Sequence, residues 1–108
     1  MIFIAGCLYC IGGCDEASHF LNSVERFNPK TGVWEDICSM INRRAYLTTV
    51  TIGNEIYALG GNDGRCYLKS CEKFLDGKWQ SVADMNKARL HFASSANEGE
   101  IYVVGGYG

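Results

Sequence analysis

The pentapeptide Tyr57-Ala58-Leu59-Gly60-Gly61 has two counterparts in the chain, Tyr9-Cys10-Ile11-Gly12-Gly13 and Tyr102-Val103-Val104-Gly105-Gly106. Outward from this string, Trp34 returns as Trp79, Met40 as Met85, Arg44 as Arg89 and Tyr57 as Tyr102, each displaced by 45 residues. Ser23-Val24-Glu25-Arg26-Phe27 likewise matches Ser70-Cys71-Glu72-Lys73-Phe74. So many coincidences at one offset define an internal repeat, and a period of this size belongs to stacked repeat architectures. The copies differ in length only between Gly13 and Glu25 against Gly61 and Glu72, and between Phe27 and Trp34 against Phe74 and Trp79. Insertions are tolerated in loops, so both intervals read as connections.

Each repeat reads as four short strands. The first covers residues 46–52 and 92–97, and the second covers 55–59 and 100–104. The second is apolar at nearly every position, which predicts burial on both faces. The third is the Ser-x-Glu-x-Phe segment, and the fourth begins at each Trp. Gly53-Asn54 and Glu98-Gly99 read as hairpin turns between the first two strands. Asp76-Gly77, set between Phe74 and Trp79, is a type I′ signal, whereas the first repeat carries the longer Asn28-Pro29-Lys30-Thr31-Gly32. Antiparallel four-stranded units with two apolar faces must stack face to face, which predicts an all-β chain of propeller blades. The repeat units are roughly 1–43, 44–88 and 89–108: most of one blade, a complete second, and half of a third.

Composition narrows the functional classes. With 108 residues, 47% hydrophobic and 20% charged, the chain has room for one packed domain and is too apolar for disorder. Ten Lys/Arg against twelve Asp/Glu give a net charge of −2 with no basic run, which argues against nucleic acid as a partner. No apolar stretch reaches the ~18 residues of a membrane span, and the apolar opening, residues 1–14, lacks the positive flank of a signal peptide. Cys7-x-x-Cys10 has no second half at ligand spacing, and positions i and i+3 of a strand point to opposite faces. The six cysteines therefore read as small buried thiols of a reducing cytoplasm, with no metal and no disulfide.

Taken together, Tyr-x-x-Gly-Gly, then Val24-Glu25-Arg26-Phe27-Asn28-Pro29-x-Thr31-Gly32-x-Trp34, then Met-x-x-x-Arg resemble the kelch repeat over essentially the whole chain. Residues 21–27 and the Met-x-x-x-Arg spacing are most similar to animal kelch-like proteins with an N-terminal BTB domain. The resemblance implies a partial kelch β-propeller in which Gly12, Gly13, Gly60, Gly61, Gly105 and Gly106 serve close backbone approach or positive φ. It implies that Trp34 and Trp79 pack between blades, each burying about 200 Å², and that Arg44 and Arg89 bond the backbone of a neighbouring blade. By this reading Trp34→Ala or Gly61→Val unfolds a blade. A closed ring needs about six blades, so the chain reads as a fragment or truncated frame without a BTB domain.

The same resemblance implies a partner-binding rim built from loops 14–22 and 62–69 and connections 41–46 and 86–91. These carry Asp15, Glu16, His19, Arg43, Tyr46, Asn62, Asp63, Arg65, Lys87 and His91. Tyr46 and His91 share one repeat position, two residues after Arg44 and Arg89, and are expected to face the central pocket. Catalysis has little support. His19 and His91 lie in different loops without a paired Ser or Cys, and no Lys-Ser/Thr follows the glycine pairs to make a phosphate loop. The Tyr/Cys pair and His ligands of kelch-like copper-radical oxidases do not assemble either. The reading is a non-enzymatic module without cofactor that binds a protein or peptide motif in the cytoplasm. It is either the substrate-recognition part of a cullin-3 ubiquitin ligase adaptor or an actin-associated scaffold.

Overall fold

The computed structural model describes residues 2–4, 6–17, 19–89, 93–97 and 99–104. Their ten strands are β1 (Ile2–Ile4), β2 (Cys7–Ile11), β3 (Val24–Asn28), β4 (Val33–Ile37), β5 (Thr48–Ile52), β6 (Glu55–Leu59), β7 (Cys71–Leu75), β8 (Lys78–Val82), β9 (Ala93–Asn97) and β10 (Glu100–Val104). Chain order and spatial order coincide: β1-β2-β3-β4 and β5-β6-β7-β8 form two sheets, and β9 pairs with β10. Every pairing is antiparallel. The chain is thus an all-β partial kelch propeller of two four-stranded blades and the first hairpin of a third. Among the described residues there is no helix, and so none long and apolar enough to cross a membrane.

Local chemistry explains the second blade. β5 is Thr-Thr-Val-Thr-Ile, a β-branched run that suits a pleated, half-buried surface. β6 lies within the sheet between β5 and β7, with Ile56, Ala58 and Leu59 all buried. Asp76 (φ 53) and Gly77 (φ 80) both adopt the left-handed region, the requirement of a type I′ turn, and the register runs Phe74↔Trp79 and Leu75↔Lys78 around it.

Several strand bounds differ from the sequence expectation. The innermost strand begins at Thr48 rather than at residue 46: Ala45 pairs with Asn62 in an isolated bridge, and Tyr46 (φ 57) interrupts the extended backbone. The outer strands begin at Val33 and Lys78, one residue before each Trp, because those residues pair with Asn28 and Leu75 at the turn. Burial on both faces does not extend to Tyr102, which is exposed on β10, a strand whose second edge is unpaired among the described residues. Phe92, Glu98, Gly105 and Gly106 lie outside the described residues.

The core lies between the blades. Tyr9, Ile11, Val24 and Met40 from the first blade meet Ile56, Ala58 and Trp79 from the second. Trp79 is 8% exposed, and its indole N–H donates to the Cys38 carbonyl across the joint at 2.9 Å. Trp34 differs: it rests on Phe27, ring centroids 5.0 Å apart, and is 48% exposed. The inter-blade packing expected of both tryptophans is therefore seen for Trp79 alone. No described residues cover the face of the first blade from which Trp34 projects.

Candidate functional site

The connection leaving the first blade is clamped before it enters the second. Arg44, fully buried, donates from Nε to Glu72 Oε2 (3.1 Å), from Nη1 to the Gly60 and Ser70 carbonyls (3.0 and 2.7 Å), and from Nη2 to Ser70 Oγ (3.1 Å). Glu72, 1% exposed on β7, also accepts the Ile41 and Asn42 amides at 2.7 and 3.2 Å. Burying two charges is costly unless each is paired and its remaining hydrogen-bonding capacity is used, and here both conditions are met.

The glycine pairs hold the same connections from the other side. Gly13 N–H donates to the Arg44 carbonyl and Gly61 N–H to the Arg89 carbonyl, both at 2.7 Å. A Cβ on Gly12 (φ 61) would stand 2.4 Å from the Arg44 carbonyl oxygen, and one on Gly61 (φ 95) would stand 2.5 Å from that of Ala45. Gly60 (φ 60) and Gly13 (φ 96) also have left-handed backbones.

On this frame the rim loops are shaped by their own side chains. Asp15 Oδ1 accepts the Ala17 and His19 amides at 3.0 and 2.9 Å, and its Oδ2 lies 3.4 Å from His19 Nδ1. Chiefly the His19 amide holds the Asp15 carboxyl below its ordinary range. One repeat on, Asn62 Oδ1 accepts the Gly64 amide at 2.7 Å, and Asp63 Oδ1 accepts the Arg65 and Cys66 amides at 2.8 and 3.0 Å. The Asp63 carboxyl is lowered too, first by the Cys66 amide and then by that of Arg65. These are Asx-type turns, in which the oxygen of a short Asp or Asn side chain replaces backbone partners.

Three segments converge at a cleft of about 470 Å³ lined by His19, Phe20, Arg43, Asp63 and Gly64. Arg43 Nη1 donates to the Phe20 carbonyl at 3.0 Å. Tyr46 meets the Phe20 ring edge to face, centroids 6.1 Å apart, and remains 45% exposed. The structure therefore groups Asp15, His19, Arg43, Tyr46, Asn62 and Asp63. Glu16 and Arg65 are exposed on the same two loops, while Lys87 is exposed on the following connection, one repeat away. His91 lies outside the described residues. Phe20 and Gly64 were not legible as site residues, because the cleft depends on two loops meeting that are more than forty residues apart in the chain.

The cysteines depart from the expectation of buried thiols. Cys71 is buried, and that burial pushes its thiol up, but Cys14, Cys38 and Cys66 are exposed and Cys7 and Cys10 half-buried. Their positions follow from placement: Cys14 and Cys66 sit on rim loops, and Cys38 just after β4. Among the described residues no group of three or more His, Cys, Asp or Glu is placed to hold a metal ion.

Stacked four-stranded blades, with pinned connections and loops gathered at one rim, define a β-propeller repeat module. Residues 1–41 and 43–86 match the Kelch motif, and the chain belongs to the kelch family. It is 34% identical over 104 residues to Kelch-like protein 21 of Homo sapiens and 31% identical over 105 residues to that of Danio rerio. Each match covers 94% of this chain and 17% of the relative, so the chain spans about a sixth of the length of these relatives. A solved structure described as "Structure of YjhT" superposes with a TM-score of 0.85 at 13% identity, covering 97% of this chain and 42% of that one, a likeness of fold.

Proposed function

We propose that this chain is a protein-recognition module that takes a peptide segment of a partner protein on the rim formed by loops 14–22 and 62–69 and connection 41–46. The observation that carries this reading is the cleft where Arg43, Phe20, His19 and Asp63 meet beside exposed Tyr46. Tyr and Arg are the residue types that dominate binding energy at protein interfaces. Tyr46 is also held in a left-handed backbone (φ 57) that costs a non-glycine residue about 1–2 kcal/mol, and strain of this kind clusters at functional positions.

The kelch-like relatives support a finer reading: substrate recognition for a cullin-3 ubiquitin ligase in the cytoplasm, with cullin-3 held by a BTB domain outside these 108 residues. The test is paired. Tyr46→Ala and Arg43→Ala should weaken capture of a partner by about 1–3 kcal/mol while changing stability by under about 1 kcal/mol. Normal capture by both folded variants rejects the rim. Co-precipitation of cullin-3 with a longer form of the protein that carries a BTB domain, together with the partner captured by these 108 residues, supports the adaptor reading. Co-sedimentation with filamentous actin without cullin-3 favours a cytoskeletal scaffold instead.

A further inference from the structure

The charged residues of the rim differ in what the repeat demands of them. Asp15 and Asp63 share one repeat position, each two residues after a Gly-Gly doublet. Each plays the same part: Asp15 Oδ1 accepts the Ala17 and His19 amides, and Asp63 Oδ1 accepts the Arg65 and Cys66 amides. Turn formation accounts for both carboxylates, and neither calls for a ligand. Arg43 has no such account. One period on, its position holds Ala88, whereas the neighbouring Arg44 recurs as Arg89. The blade frame thus uses the second arginine of the pair and not the first.

The head of Arg43 is nevertheless fixed in place. Its Nη1 donates to the Phe20 carbonyl at 3.0 Å, and the side chain lines the cleft with His19, Asp63 and Gly64. Arg43 is exposed and, among the described residues, forms no ion pair, and its Nε and Nη2 meet no acceptor. A planar fork with one corner held and its other donors open suits a carboxylate taken in two parallel N–H···O bonds. Holding the fork beforehand lowers the ordering cost of that contact. Phe20 lies against Gly64 and meets Tyr46 edge to face, so an apolar wall adjoins the fork. Asp63 shares the cleft and stays ionised, its carboxyl held low by loop amides. A doubly charged group is disfavoured beside it, and a single carboxylate fits better.

We infer that the partner segment is acidic: an Asp or Glu side chain of the captured peptide seats on Arg43, with its stem against Phe20 and Tyr46. This rests on the reading of the rim as a peptide-binding surface and narrows that reading to one ligand chemistry. The acidic loops do not oppose it, because the carboxylates of Asp15 and Asp63 are engaged by their own turns while the donors of Arg43 remain open.

Random peptides displayed on phage and selected on the full chain should converge on an Asp or Glu at one position. In fluorescence anisotropy, replacing that acid by its amide should weaken binding about tenfold, and Arg43→Gln should do the same to the acidic peptide. Arg43→Gln should then no longer distinguish acid from amide, and Arg43→Glu should prefer a peptide carrying Lys there. A gain for the Lys peptide shows that the variant is folded. Selected peptides without an acidic position overturn the inference. So do peptides that Tyr46→Ala weakens and Arg43→Gln leaves unchanged, an outcome under which the rim itself stands. Peptides indifferent to both variants bind elsewhere and reject the rim together with the inference.

Discussion

Arg44 and Glu72 form a buried ion pair across the joint between the two blades, Nε to Oε2 3.1 Å, with one partner on the connection and the other on β7. Removing one partner strands a buried charge. Arg44→Met and Glu72→Leu should each cost about 3–5 kcal/mol in urea unfolding, and the double variant well under their sum. A fully additive double variant would show that the pair does not act as a unit.

The glycines of one doublet should respond differently. Gly12→Ala drives a Cβ against the Arg44 carbonyl oxygen, whereas a Cβ on Gly13 meets nothing within 4 Å. Gly13→Ala should cost about 1–2 kcal/mol for its left-handed backbone, and Gly12→Ala distinctly more. Melting curves of the two variants decide this; equal losses would contradict the close approach.

The tryptophans should separate as well. Trp79→Ala empties the inter-blade core and should cost about 3–5 kcal/mol. Trp34→Ala, measured in dilute solution, should cost under about 1.5 kcal/mol, because that ring is half in water. Equal losses would show a packing partner for Trp34 within the monomer.

Acid should loosen the rim before the blades. Asp15 and Asp63 have carboxyls depressed by the amides they accept, so their contribution is complete above the ordinary carboxylate range and fades as pH falls through the lowered folded values. Protection of the His19 and Cys66 amides against hydrogen exchange, taken relative to the intrinsic rate at each pH, should fall below about pH 4 while the β6 amides stay protected. Asp63→Ala should reproduce the Cys66 effect at neutral pH.

Thiol chemistry checks the placement of the cysteines. Cys14, Cys38 and Cys66 should react rapidly with an aromatic disulfide in the native protein, and Cys71 only on unfolding, since burial both hides its thiol and raises its pKa. Fast labelling of Cys71 would show that the second blade opens.

Much of the architecture was legible because kelch blades are repeats. Tyr57 and Tyr102, or Met40 and Met85, sit at one offset, so four strands, their order and the turn at Asp76-Gly77 follow from alignment of the chain with itself. The ion pair was half legible: Glu25 and Glu72 recur, as do Arg44 and Arg89, but periodicity does not say which glutamate meets which arginine. The rim was less so. His19, Arg43 and Asp63 come from three segments, and nothing in their spacing announces that Phe20 stands between them.

The sequence by itself determined the blade, since apolar alternation, glycine doublets and turn residues act over a few neighbouring positions and recur wherever the same residues do. Tertiary structure decided the environment of each copy. Trp34 and Trp79 have the same motif position, the same register against a phenylalanine and opposite burial, and Glu25 and Glu72 differ in the same way. The reason is that desolvation depends on what lies across the joint, and one member of each pair faces another blade while its equivalent faces water.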